Sequence, residues 1–168
     1  KLLTQIRLST LNQLSNEHIT SSSLPFYKAL ALHCFTNEYV FLESNEETLK
    51  VDQLENEIST HISSTELIPV LKIIVLAAYR PLHLFSWADY LLQSDSKDKI
   101  QRILITQISE VREEQRLRSQ IPEINATENK VSKVVREQYE ENPYPRWINL
   151  GLSTEPQTIR EVMQDLEV

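Results

Sequence analysis

The sequence predicts an all-α fold, an irregular helical bundle or array of about seven helices followed by a proline-stiffened C-terminal strap. Three observations lead there. Apolar residues recur at three- and four-residue spacing through most of the chain. Glycine occurs once in 168 residues, at Gly151, against a usual share of about 7%, so tight hairpin turns built on Asn-Gly or Gly-X pairs are disfavoured. The seven prolines fall mostly between the periodic segments. A hydrophobic content of 40% is enough for one continuous core.

The first predicted helix covers residues 2–14, with Leu3, Ile6, Leu8, Leu11 and Leu14 on one face, and ends at the Ser/Thr-rich stretch 20–23. Leu24 and Pro25 open a second helix, proline being tolerated in a first turn because its missing N–H has no intrahelical partner there. This helix is expected to run through Phe26, Leu30, Cys34 and Phe35 to about Phe41. Ser44 and Glu47 have capping-box spacing and start a third, surface helix with Leu49, Val51, Leu54 and Ile58 on its apolar face. Ser64 or Thr65 is expected to cap a nearly all-apolar helix over 67–79, which belongs at the centre of the fold and stops before Pro81.

A shorter helix is predicted over 86–92, carrying Trp87, Tyr90 and Leu91. A long amphipathic helix follows, with Ile100, Ile103, Leu104, Ile108 and Val111 at helical spacing, and its charged end near Arg118 is expected to project into solvent. After a loop around Pro122, Val131, Val134, Val135 and Tyr139 mark a further helix that must stop before Pro143. A last short helix over 156–166 starts behind Thr154 or Glu155. The division expected is a helical bundle domain, 1–141, and a strap with its short helix, 142–168.

Function classes are narrowed by the same composition. Phosphate-cradling and dinucleotide-binding loops need glycines for positive φ and close backbone approach, so no such loop can be built here. The net charge of −7 disfavours direct nucleic-acid binding, which calls for a basic face. Arg112, Arg116 and Arg118 alternate with Glu110, Glu113 and Glu114, the pattern of a solvated, ion-paired helix face. Cys34 is the only cysteine, which points to a reducing, cytoplasmic setting. The longest apolar stretch is interrupted by Lys72 and falls short of the ~20 residues a membrane span needs, so no membrane association is expected. A chain that opens at Lys1 without methionine and stops at Val168 is expected to be a piece of a longer protein.

No residue pattern marks a catalytic or metal site. His18, His33, His61 and His83 are scattered, without the i, i+4 pairing that places two imidazoles on one helical face. His33 and Cys34 are adjacent and point about 100° apart on a helix, so Cys34 reads as core packing. The acid pairs Glu46/Glu47, Glu55/Glu57 and Glu140/Glu141 lie in polar runs, where solvation rather than acid–base chemistry is expected.

The exception to this blandness is residues 138–147, QYEENPYPRW. Pro143 and Pro145 fix φ and force the preceding residues into extended conformations, giving a stiff strap that carries Tyr144, Arg146 and Trp147. Such a strap loses little entropy on docking, and its rings and guanidinium suit stacking and cation–π contact. On composition alone it reads first as a strap that pins Trp147 into the chain's own core. The alternative is a docking surface. The order Asn142-Pro143-Tyr144-Pro145 does not reproduce the Asn/Asp-Pro-Pro-aromatic motif with which adenine methyltransferases grip a target amine.

Residues 135–147, VREQYEENPYPRW, resemble a segment just upstream of the S-adenosylmethionine-binding domain in bacterial tetratricopeptide-repeat methyltransferases. Residues 30–43, LALHCFTNEYVFLE, resemble the same family's Cys-Phe-x-Asn-Glu-Tyr-Val-Phe helix, and 78–82, AYRPL, fit the apolar helix between the two. The resemblance implies a parent protein that is an S-adenosylmethionine-dependent methyltransferase, of which this chain is a non-catalytic helical linker or accessory domain. Its implied partners are the methyltransferase domain of the same protein and a protein substrate. Tyr139, Asn142, Tyr144, Arg146 and Trp147 are the implied contact residues, and no cofactor is expected in this piece itself. The competing reading is a helical interaction module that binds an external partner, although no ~34-residue repeat pattern is present.

Overall fold

The computed structural model describes residues 2–14, 23–64, 69–95 and 97–121, together with 134, 135, 138 and 139. The chain divides into two compact units, Lys1–Thr127 and Glu128–Val168. In the second unit the described residues Val134, Val135, Gln138 and Tyr139 are helical and exposed. The division expected at 141/142 and the helix expected over 156–166 lie outside the described residues, as does the strap.

The first unit is all-α. Among its described residues there is no strand, and six helices succeed one another: α1 Leu2–Leu14, α2 Leu24–Thr36, α3 Asn45–Ser63, α4 Val70–Ala77, α5 Ala88–Gln93, and a last helix, α6, that runs without interruption through Gln101–Leu104, Ile105–Ser109 and Glu110–Arg118. Short 3₁₀ turns at Leu82–Leu84 and Lys97–Ile100 flank α5. The centre is α4, which packs against α1, α2 and α3. Its sequence VLKIIVLA is apolar nearly all round, and Ile73, Ile74, Val75, Leu76 and Ala77 are all buried, as a helix without a polar face must be. No described helix is long and apolar enough to cross a membrane.

Several boundaries differ from the periodicity. α2 stops at Thr36 rather than near Phe41, because the chain closes it with a Schellman turn. The Tyr39 N–H donates to the Cys34 carbonyl at 3.0 Å and the Glu38 N–H to that of Phe35 at 3.0 Å, the paired bonds that satisfy carbonyls left over at a helix end. The turn requires left-handed backbone, and Glu38 (φ 49°) and Tyr39 (φ 54°) supply it in place of glycine. Each non-glycine residue in that region costs about 1–2 kcal/mol. Tertiary contacts of Tyr39 offset this: its hydroxyl donates to the Ala77 carbonyl at 3.1 Å, and its ring meets Phe35 edge-on with centroids 6.3 Å apart.

The start of α3 is as expected. The Ser44 hydroxyl accepts from the Glu47 N–H at 3.2 Å, and Glu47 Oε2 accepts from the Ser44 N–H at 2.9 Å, completing a capping box. The buried face is Glu47, Val51, Leu54 and Ile58, whereas Leu49 points outward and is 64% exposed. Ser64 is the C-terminal cap of α3 and does not begin α4, whose N-cap is Pro69.

α6 departs from a regular helix. Ile105–Ser109 form a π-helical turn, within which Thr106, Gln107 and Ile108 are all buried. Ile100, Ile103, Leu104, Ile108 and Val111 are buried as predicted, and residues 113–120 are exposed. On that exposed end Arg116 binds Glu113 in a bidentate pair at 2.6 and 2.7 Å, and Arg112 reaches Asp89 of α5.

Candidate functional site

The polar groups of the first unit converge on one corner, where the turn after α2 meets the turn after α4. Tyr39 anchors the first turn to the end of α4 through the Ala77 carbonyl. Four residues later Glu43 accepts from both terminal guanidinium nitrogens of Arg80, at 2.7 and 2.8 Å. This fork-to-fork geometry is the strongest form of a carboxylate–arginine contact. It holds the Glu43 carboxyl below its ordinary range, chiefly through the Arg80 hydrogen bonds, and raises Arg80 for the same reason.

Deeper in the corner, Tyr79 donates its hydroxyl to Glu47 Oε1 at 3.0 Å. Glu47 is 2% exposed, so the expectation that the Glu46/Glu47 pair is solvated holds for Glu46, which is exposed, and fails for Glu47. The physical reason is the capping box: drawing the carboxylate back over the helix start directs it inward, where Ser44 and Tyr79 meet both oxygens. Burial, then the Glu47 charge, push the Tyr79 hydroxyl far above its ordinary range.

Arg7 of α1 completes the arrangement. It is 1% exposed, with its guanidinium carbon 4.1 Å from the centroid of the Tyr79 ring and 5.5 Å from that of Phe41. One terminal nitrogen donates to the Leu42 carbonyl at 3.4 Å, and Nε has no hydrogen-bond partner among the described residues. Cys34, buried as predicted, has its thiol pushed up to about 11 by burial, with the Arg7 charge pulling the other way. That places it far from the thiolate form a nucleophile needs.

A second buried polar centre sits beside this one. Gln107, fully buried, donates to the Ala77 carbonyl at 3.0 Å and to that of Ala31 at 3.4 Å, and accepts from the Leu82 N–H at 3.3 Å. One amide thus ties α6 to α2, to the end of α4 and to the 3₁₀ turn after it.

Neither Arg7 nor Gln107 stands out in the sequence. Arg7 sits on an otherwise apolar helix face, and an inward arginine there is the only available signal. Gln107 falls on the apolar face of α6, four residues after Ile103 and four before Val111, and a polar residue at that register is the one signal the sequence offers. Of the residues implied as contacts by the resemblance, Tyr139 is helical and 64% exposed. Asn142, Tyr144, Arg146 and Trp147 lie outside the described residues.

A cleft of about 370 Å³ between α1, α3 and α4 has Leu11, Leu14 and Leu54 among its lining, with Lys50 and Lys72. Both ammonium groups are engaged, Lys50 with Glu46 and Asn12 and Lys72 with Glu57, at 2.6–2.8 Å. Among the described residues no group of three or more His, Cys, Asp and Glu side chains could hold a metal. Comparison with protein-family models, curated proteins and solved structures gives no match.

Proposed function

We propose that this chain is a non-catalytic helical accessory domain of an S-adenosylmethionine-dependent methyltransferase, docking on the catalytic domain of the same protein through Tyr139, Asn142, Tyr144, Arg146 and Trp147 and shaping its substrate site. The observation that carries the reading is the corner. The two stretches that resemble the methyltransferase family, 30–43 and 78–82, lie 35 or more residues apart in sequence, yet Glu43–Arg80 joins them directly and Tyr39 bonds the Ala77 carbonyl immediately before the second. Segments that resemble one family and also interlock form a single structural unit. Its polar groups are turned on one another, the arrangement of a scaffold rather than of a reacting centre. S-adenosylmethionine belongs, in this reading, to the catalytic domain.

The test is methyl transfer by the full-length protein carrying Tyr144→Ala and Trp147→Ala together. A loss of turnover or of cofactor affinity is expected. Unchanged values of both overturn the docking role.

A second reading, a helical module that binds an external protein, draws on Val40 and Leu42, which are 74% and 86% exposed in the turn between α2 and α3. Capture of the same partner by this chain alone, without the catalytic domain, favours that reading.

A further inference from the structure

We infer that Phe41, Tyr79 and the Leu42 carbonyl form a recognition slot for a guanidinium group, occupied by the chain's own Arg7, so that docking of α1 depends on arginine recognition. The inference starts from what α1 buries. Its buried residues are Arg7, Thr10 and Leu11, and the arginine, at 1% exposure, is the most enclosed of them, Thr10 and Leu11 each being 4% exposed. Leu3, Ile6 and Leu14 pack against the core while remaining partly exposed. A helix whose deepest side chain is a cation is held by whatever receives that cation.

The receiving surface has the chemistry of a guanidinium site. Two ring faces lie within cation–π range, Tyr79 at 4.1 Å and Phe41 at 5.5 Å, and a carbonyl takes one in-plane N–H. Guanidinium is planar and weakly hydrated, so it stacks on rings and loses less on burial than an ammonium does. The Glu47 carboxylate accepts from the Tyr79 hydroxyl, placing negative charge at the far edge of the ring that carries the cation. Glu43, in the same corner, also feels the Arg7 charge. Both ring residues and the carbonyl come from the two turns of the corner, whereas Arg7 comes from a helix 35 residues away in sequence from Leu42. The slot is therefore a site for which Arg7 is a ligand supplied in cis, and a guanidinium presented from outside fits it once Arg7 is gone.

The test is chemical rescue of the purified chain. Arg7→Ala is expected to lower the thermal midpoint. Methylguanidinium at about 10 mM is expected to recover about 2–4 °C of it, the gain rising with the logarithm of concentration above the Kd, as for a ligand that binds only the folded state. Equimolar ammonium chloride has no such effect, the wild type does not move, and adding Tyr79→Leu to the alanine variant abolishes the recovery. Absence of rescue, or an equal shift in wild type, overturns the inference. Should Arg7→Ala not fold, recovery of its helical circular dichroism signal by methylguanidinium supports the slot and failure to recover counts against it. Arg7→Met is an independent check: a methionine variant as stable as wild type shows that the site recognises bulk rather than a guanidinium.

Discussion

Two side chains share one acceptor at the end of α4, and this makes the corner open to a quantitative test. The Ala77 carbonyl receives the Tyr39 hydroxyl at 3.1 Å and the Gln107 amide at 3.0 Å. Tyr39→Phe removes one of these donors and leaves the carbonyl satisfied by the other, so it is expected to cost only about 1 kcal/mol. Gln107→Met keeps the volume of the side chain but strips the buried Leu82 N–H of its acceptor, a cost of about 1–3 kcal/mol. The double variant does more than add these, because the Ala77 carbonyl then has neither side-chain donor. An uncompensated buried acceptor adds about another 1–3 kcal/mol, which appears as a coupling energy in a double-mutant cycle. Urea denaturation followed by far-UV circular dichroism reads all four corners of the cycle, with an unchanged m-value confirming that the folded state has kept its compactness. Additivity within about 0.5 kcal/mol, the range seen for independent sites, refutes the shared-acceptor reasoning.

Other expectations follow from single contacts. Ser44→Ala removes the hydroxyl that caps α3 and is expected to destabilise by about 1 kcal/mol in the same assay, while Ser44→Gly, which keeps the backbone geometry open, costs a few tenths. The Arg80 contact holds Glu43 below its ordinary value of 4.5, so the folded chain binds that proton less tightly than the unfolded one. The contribution is fully present above 4.5, and it is lost as pH falls through the lowered value. Stability measured from pH 6 to pH 3 should therefore fall less steeply in Glu43→Gln than in wild type, with a difference on the order of 1 kcal/mol at pH 6. Cys34, buried and with its thiol raised to about 11, is expected to resist a disulfide-exchange reagent at pH 8 in the native chain and to react fully in urea. Rapid native labelling contradicts that placement.

The helical class was legible because apolar spacing and glycine scarcity are local, additive signals. The capping box at Ser44 and the all-apolar sequence of α4 predicted their elements for the same reason: a cap needs two residues three apart, and a helix without a polar face has only the interior to occupy. The end of α2 was not legible. Asn37, Glu38 and Tyr39 continue a helical pattern, and only the reach of Tyr39 to Ala77 and its ring contact with Phe35 compensate two left-handed residues that nothing local favours. Glu47 shows the same division within one residue. Its role as a capping partner was readable from spacing, but its burial against Tyr79, 32 residues on, was not.

What the sequence by itself determined is therefore the material: helices and their apolar faces. The tertiary structure decided which polar side chains turn inward. Arg7, Glu47 and Gln107 are each buried against a partner distant in the chain, a ring face, a hydroxyl or a backbone group, that offsets part of the water it gives up. Such compensation depends on pairs of residues brought together by packing, and pattern along one chain carries no record of it.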